Sequence, residues 1–166
     1  MEAVDARRNV NRTLSALTAE YGHVEVLRER QEVEPGVYDR LRERAAAFDG
    51  CGGAGAWVRD PDGRVLLVDT GEGWAEPAAP KRPEQDHLSC AEEAIREGTG
   101  IAPVMAGLSH VHVRYVDDWS DREPLPQPFV VFEARAVGEP TGDAAWHAQL
   151  PDELLYEHLR ELSLDG

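Results

Sequence analysis

Residues 54–69 place the strongest constraint on the fold, because they predict a β-hairpin from local sequence alone. An apolar run, AGAWVRD, leads into Asp60–Gly63, DPDG, and a second apolar run, RVLLVD, follows. Proline at the second position of such a turn presets the backbone φ angle, and glycine at its end favours a tight reversal. The two runs are therefore expected to pair as antiparallel strands and to begin a β-sheet.

The residues before the hairpin show helical periodicity. The apolar positions of a first predicted helix are Val10, Leu14, Leu17 and Tyr21. Gly22 ends that pattern, and a second helix is predicted from Pro35 to about Phe48, since proline is favoured in the first turn of a helix. A glycine-rich segment then indicates a boundary between a helical N-terminal extension, residues 1–50, and a main domain, residues 51–166.

A third helix is predicted after the hairpin. Ser89 and Glu92 have the spacing of a capping box, so the helix is expected to begin at Ser89. Asp86 is a competing cap, and a start there would add a turn. Gly100 suits the left-handed position that ends many helices, and the aliphatic Ile101 follows it.

Two further strands and a last helix complete the predicted elements. The strands cover His110–Val116, in which polar and apolar residues alternate strictly, and Phe129–Ala136. The loop between them is polar and rich in proline, and it is long enough for a functional role. Leucines at helical spacing predict a terminal helix over Pro151–Leu162.

The charge balance excludes whole classes of partner. The net charge is -15, and a single lysine, Lys81, accompanies the arginines. A surface for nucleic acid or for an anionic membrane needs clustered basic residues, so neither partner is expected. An acidic surface poor in lysine resembles the proteins of salt-accumulating halophiles, which predicts a cytoplasm of high ionic strength. An ordinary acidic mesophilic protein is the alternative.

Cysteine content and hydropathy indicate the compartment. The chain has two cysteines, Cys51 and Cys90, so a disulfide framework is not implied. It has no apolar run long enough to span a bilayer, and no secretory signal pattern at its N-terminus. We therefore expect a soluble, reduced, cytoplasmic protein.

The order of these elements, with the segment Trp74–Ile101, resembles the Nudix hydrolase family over roughly residues 52–162. The family's box ends in Arg-Glu-U-x-Glu-Glu-x-Gly-U, where U is aliphatic, and usually follows a Trp and a Pro-Gly-Gly loop. Laid on this sequence without a gap, the box matches at Trp74, Pro77, Ile95, Glu97, Gly100 and Ile101. The resemblance implies a Nudix-type α/β/α sandwich around a mixed sheet, with the helical N-terminal extension added.

The same alignment places other residues at the polar positions of the box, which is therefore degenerate. The loop glycines correspond to Ala78 and Ala79, and the first box glutamate corresponds to Gln85. Within the final run, the arginine is replaced by Glu93, the glutamate beside it by Ala94, and the last glutamate by Gly98. The positions that shape the loop and helix match, and most positions that would hold metal do not.

These losses bear on chemistry. Family members hydrolyse nucleoside diphosphates linked to another group, with a divalent metal held by the box carboxylates, and Mg²⁺ requires several hard oxygen ligands. By this resemblance the catalytic and metal-binding residues would be Glu97, which matches the box, and Glu93 as a replacement ligand. Two solvated carboxylates on an acidic helix are the alternative interpretation.

Several basic and aromatic residues are candidates for ligand binding. Lys81 and Arg82 follow the altered loop and could attract a phosphate, although a plain surface turn explains them equally well. His110, His112 and Arg114 alternate along one strand and share one side of it, where they could bind phosphate or metal. Exposed histidines on a half-buried strand are the alternative there.

One aromatic residue completes these candidates. Trp119, in the polar loop, could stack on a base or pack a cleft wall.

Two functions of different class follow. The first is a Nudix-like protein that binds a nucleotide or related phosphate ligand with little or no hydrolysis, or that serves as an interaction module. The second is a nucleoside-diphosphate-X pyrophosphohydrolase dependent on Mg²⁺ (or Mn²⁺), using Glu97 with Glu93 and carboxylates from elsewhere, such as Glu76 or Glu84. The missing polar positions favour the first. The expected partner is a phosphate-containing small molecule. A homodimer formed through the N-terminal helices is a further possibility.

Overall fold

The computed structural model describes residues 2–47 and 52–155, and within them the chain alternates helices with the strands of one mixed sheet. In chain order the elements are α1 (Ala3–Tyr21), β1 (Val26–Glu32), α2 (Pro35–Ala47), β2 (Gly53–Arg59), β3 (Val65–Asp69), β4 (Trp74–Ala75), β5 (Ala78–Pro80), α3 (His87–Thr99), β6 (Val104–Asp117), β7 (Leu125–Arg135) and β8 (Ala144–His147).

The sheet combines parallel and antiparallel pairs. Its strand order is β1-β6-β7-β2-β3-β4, with β5 added beside β2 and β8 beside β3. The β1–β6 and β2–β7 pairs are parallel, and the other pairs are antiparallel. This mixed sheet with helices against it is the fold class that the sequence predicts.

The predicted hairpin is confirmed by its hydrogen bonds. β2 and β3 pair antiparallel, and in the turn the backbone N–H of Gly63 donates to the carbonyl of Asp60 at 3.1 Å. The Asp60 carboxylate also accepts the backbone N–H groups of Asp62 and Arg64. One buried side chain thus satisfies the donors of the reversal.

Two helices cover one face of the sheet and form the main core with it. The buried residues of this core include Val10 and Leu17 of α1, Cys90 and Ile95 of α3, Val111 and Val113 of β6, and Phe132 of β7. Ile95 is fully buried, which contributes about 1.5–3 kcal/mol to the stability of the fold. Therefore α1, which falls in the predicted N-terminal extension, belongs to the same core as α3.

The other face of the sheet carries smaller clusters. Trp57, Leu67 and Val131 are buried there, with Trp74 and Leu154 packed against them. At the end of β6 and β7, Tyr38 of α2 packs against Val116 and Leu125 in a further cluster.

The two helices predicted in residues 1–50 are present, and a strand lies between them that the sequence pattern does not predict. β1 pairs in parallel with β6, from Val26 opposite Val111 to Glu32 opposite Asp117. Its sequence, VLRERQE, is rich in residues that also favour helices, and most of its side chains are at least partly exposed at the sheet edge. Pairing with a distant strand decides its conformation.

Other boundaries differ from expectation. α3 begins at His87 because Asp86 is the cap, its carboxylate accepting the N–H of Ser89 at 2.7 Å, so the start at Ser89 was wrong. Pro151 does not begin a helix, since Leu155 instead donates its backbone N–H to the carbonyl of Trp74 at 2.9 Å. The remainder of the expected terminal helix, residues 156–162, lies outside the described residues.

No helix in the described ranges is both long and apolar enough to cross a bilayer.

Candidate functional site

The helix that carries the box residues is held at both ends by local chemistry. Asp86 caps its N-terminus, and Gly100 closes it in the left-handed conformation with φ of 75° and its N–H bonded to the carbonyl of Arg96. Its buried face turns Cys90, Ala91 and Ile95 toward the sheet. Glu93 and Glu97 are left half-buried and exposed respectively, at the edge of this face.

Glu93 is already bound by neighbouring side chains. Its Oε2 accepts a hydrogen bond from Gln85 Nε2 at 2.7 Å and lies 3.4 Å from Arg82 Nη2. Glu93 and Glu97 both line a small cavity of about 50 Å³. Glu97 has no hydrogen-bond or ion-pair partner among the described residues. The two predicted metal ligands therefore differ: one has its charge compensated, and the other faces solvent.

The remaining carboxylates proposed for a metal lie elsewhere. Glu84 is exposed and forms an ion pair with Arg82 at 3.4 Å. Glu76 is buried and lines a different cavity from Glu93 and Glu97. Within residues 2–47 and 52–155, no three His, Cys, Asp or Glu side chains form a group that could hold a metal ion. The donor set therefore does not fit the octahedral oxygen shell of Mg²⁺.

The altered loop forms a short strand, β5. Ala78 and Ala79 pair with Gly55 and Ala54 of β2, and neither alanine has the positive φ that glycines there would permit. Gly55 provides the close approach instead, because a Cβ at Gly55 would lie 2.3 Å from the carbonyl oxygen of Pro77. The residue that must be glycine for this close backbone approach therefore lies in β2 and not in the loop.

A second cavity, of about 280 Å³, lies on the face of the sheet opposite α3. We call it the α2 cavity, because Leu41 and Arg44 of α2 form part of its wall. Its other principal residues are Glu76, Arg114, Gln127 and Phe129. An open cavity of about 670 Å³ beside the β2–β3 turn is larger but contains none of the predicted site residues.

Arg114 is held in position by neutral groups. Its Nε donates to Gln127 Oε1 at 2.8 Å, its Nη2 also donates to that oxygen, and its Nη1 donates to Gln31 Oε1 at 2.8 Å. The guanidinium lies 6.0 Å from the centre of the Phe129 ring. Among the described residues no carboxylate pairs with Arg114, so its positive charge is oriented without being neutralised.

Glu76 is the unusual acid of the α2 cavity. It is 8% exposed, and its Oε2 has no hydrogen-bond partner in the described part of the chain. Burial raises the pKa of its carboxyl to about 7, because an ionised carboxylate is poorly solvated in the interior. Near neutral pH this side chain is therefore divided between its charged and neutral forms.

The two histidines predicted as ligand-binding residues share a side of β6 with Arg114, as expected, but they are buried rather than exposed. Ser109 Oγ lies 2.9 Å from His110 Nδ1. Burial, and then the charge of Arg114, lower the pKa of His112 to about 4. His112 Nε2 lies 3.5 Å from a Glu29 oxygen; because the imidazole is neutral at pH 7, we regard this as a polar contact rather than an ion pair.

The other predicted ligand-binding residues do not meet in one place. Lys81 donates from Nζ to the carbonyl of Arg82, and Arg82 pairs with Glu84 and Glu93 on the α3 side of β5. Trp119 is 64% exposed, with a positive φ of 63°. The structure thus groups Arg114 with Glu76, and Arg82 with Glu93, in separate cavities.

Three residues of the α2 cavity were not singled out from the sequence as ligand-binding residues. The sequence indicates Glu76 only as a possible additional metal ligand, and it gives no signal for Arg44 or Gln127. Gln127 lies opposite Arg114 in the β6–β7 register. The sequence shows that Gln127 and Phe129 would lie on the same side of a strand. Which residues of the next strand they face depends on the strand register, which the sequence does not reveal.

No protein-family model matches the sequence, and no curated protein matches it. Among solved structures, the chain is similar to a MutT Nudix hydrolase from Burkholderia pseudomallei, with a TM-score of 0.53 and 25% identity over 68% of this chain and 94% of that one. It is also similar to a Nudix hydrolase from M. smegmatis, with a TM-score of 0.46 and 18% identity over 66% and 84%. The first comparison establishes a Nudix-type fold.

Proposed function

We propose that this protein binds a nucleotide or related phosphate-containing ligand in the α2 cavity, with little or no hydrolysis. The observation that carries the proposal is Arg114, which is oriented into a cavity by two glutamine side chains and retains its positive charge. A guanidinium held in this way can bind a phosphate in bidentate geometry. In a chain with a net charge of -15, a half-buried cation that no described carboxylate pairs favours an anionic ligand.

The surroundings of Arg114 also suit the organic part of such a ligand. Phe129 lies beneath the guanidinium, and its ring stacks on His112 with centroids 6.2 Å apart. Arg44 of α2 lines the cavity from the N-terminal extension and adds a second positive charge. A concave site with an aromatic wall and a few placed polar groups is the usual form of a small-molecule site.

The state of Glu93 supports weak or absent hydrolysis. Cleavage of a pyrophosphate requires charge neutralisation on its oxygens and an activated water, which divalent metal supplies in this kind of chemistry. Glu93 already accepts from Gln85 and Arg82, so using it as a ligand would break both contacts. Glu76 lines a different cavity from Glu97, so the two carboxylates are not placed to share a metal ion.

Binding and hydrolysis can be tested on the same preparation in molar KCl, the salt condition proposed from the acidic composition. We expect ADP-ribose or a nucleoside triphosphate to raise the unfolding temperature, and Arg114→Gln to remove most of that rise. Arg96→Gln is the matched control, because the Arg96 side chain is exposed on α3 and, among the described residues, forms its ion pair with Glu92 at 3.9 Å. It should bind as the wild type does.

The hydrolysis assay uses the same ligands with Mg²⁺ or Mn²⁺ and should release no product. Turnover that disappears in Glu97→Ala would establish the pyrophosphohydrolase instead. An absence of stabilisation by every nucleotide, together with a stable dimer or complex in solution, would replace ligand binding with an interaction role.

A further inference from the structure

Glu76 is the buried acid of the α2 cavity. It follows β4, where the chain turns toward β5, and it lines the α2 cavity together with Gln127 and Phe129. Its Oε2 is buried without a hydrogen-bond partner in the described residues. A buried carboxylate oxygen without a hydrogen bond destabilises a folded protein, so this position is costly to the fold unless a ligand supplies a donor.

The surroundings of Glu76 indicate that a bound ligand supplies the hydrogen-bond donors for its carboxylate. An ionised carboxylate only accepts hydrogen bonds, and its two oxygens can receive two adjacent N–H donors at once. Among the described residues, no side chain donates to Oε2. Phe129 lines the same cavity and gives it an aromatic wall against which a planar base can pack, and contact between bases and aromatic side chains is common in nucleotide binding.

We propose that Glu76 determines ligand specificity, by accepting the two neighbouring N–H donors of a guanine base that lies in the α2 cavity. This inference rests on the proposed nucleotide binding and names the base. Guanine carries N1–H beside its exocyclic amino group, and both can donate to one carboxylate. Adenine presents an acceptor, N1, beside its amino group, so one carboxylate oxygen would face a lone pair. Hypoxanthine has the N1–H donor but lacks the amino group.

The size of the cavity is consistent with this assignment. At about 280 Å³ it is slightly smaller than the usual range for small-molecule sites. That volume suits one base rather than a whole nucleotide, so the phosphates would extend toward the exposed side, where Arg44 lies. Base recognition and phosphate recognition would then depend on different residues, Glu76 and the two arginines.

The test compares equilibrium binding of GMP, IMP and AMP to the wild type, Glu76→Gln and Glu84→Gln. Wild type is expected to bind GMP at least about tenfold more tightly than AMP, the discrimination that a good bidentate pair supplies, with IMP between them. In Glu76→Gln the amide cannot accept both donors, so the preference for GMP should fall to about twofold or less. Glu84→Gln changes an exposed carboxylate and should retain the wild-type preference.

The outcomes separate this inference from the proposed function. If the wild type binds GMP and AMP equally, and Arg114→Gln weakens both, nucleotide binding stands and the role of Glu76 is overturned. If Glu76→Gln retains the preference for GMP, the role is likewise overturned. If no nucleotide binds to the wild type, both proposals fail. Thermal unfolding of Glu76→Gln checks that it folds, and the glutamine removes a buried charge rather than adding one.

Discussion

Gln85 Nε2 donates a hydrogen bond to Glu93 Oε2 at 2.7 Å, joining the loop before α3 to its second turn. In the Nudix-box alignment these two positions carry a glutamate and an arginine. Here a neutral amide donates to a carboxylate, so the pair carries one negative charge in place of two opposite charges. The contact that positions the loop is therefore present without the charges that the box would supply.

Gln85→Glu is expected to destabilise the protein, because it places a second carboxylate against Glu93. The loss of one charged hydrogen bond and the added repulsion should lower the free energy of unfolding by about 1–3 kcal/mol. Adding Glu93→Gln restores an amide-to-carboxylate bond in the opposite direction and should recover most of that loss. Urea unfolding of the two single variants and the double variant measures the coupling. Additive effects would show that the hydrogen bond contributes nothing.

The stability of the protein should depend on the ionisation of Glu76. Burial raises the pKa of its carboxyl from an ordinary 4.5 to about 7. Because the unfolded chain releases this proton at lower pH than the folded protein does, the contribution of Glu76 to the free energy of unfolding falls between about pH 4.5 and 7. It is constant outside that window.

Glu76→Gln removes this dependence. Relative to the wild type, the variant should gain about 3 kcal/mol in free energy of unfolding as the pH rises through the window. Chemical unfolding of both proteins across that range gives the difference directly, since other titrating groups cancel. A difference that does not change with pH would show that Glu76 ionises normally in the folded state.

Gly55→Ala should be strongly destabilising, because its Cβ would lie 2.3 Å from the carbonyl oxygen of Pro77 and 2.7 Å from Ala78 Cβ. β5 would have to separate from β2, at a cost of roughly 1–3 kcal/mol or more. Gly98→Ala is the matched control, because a Cβ there meets nothing within 4 Å in the described residues and the position is helical. It should stabilise the protein by about 0.5–1 kcal/mol. Equal effects of the two substitutions in thermal unfolding would contradict this account.

The high negative charge predicts a strong dependence of stability on salt. Raising KCl from about 0.1 M to about 1 M shortens the Debye length from about 10 Å to about 3 Å, which screens repulsion among the exposed acids. The urea midpoint should therefore rise with KCl. Sucrose provides the control, since it stabilises by exclusion from the surface without screening charge. An unchanged midpoint in KCl would remove the argument for a high-salt environment.

Local patterns accounted for several parts of the fold. The turn at Asp60–Gly63, the end of α3 at Gly100 and the alternation of His112 and Arg114 along β6 were all predicted. Each depends on interactions within a few residues, such as a proline that presets φ or a glycine that admits the left-handed conformation. Where two local signals competed, as for Asp86 and Ser89 at the start of α3, the sequence offered both caps and the structure contains one.

The candidate site required the tertiary structure. The sequence by itself determined which box positions lack their usual residues, the acidic charge and the likeness to a Nudix-type fold. It did not determine that β1 joins the sheet, that Glu76 and Arg114 line one cavity, or that Gln85 reaches Glu93. Those relations join residues far apart in the chain or on different elements, so they depend on strand register and on how the helices pack. Burial then sets the pKa of Glu76 and leaves Arg114 charged among neutral partners, because desolvation and pairing depend on neighbours in space.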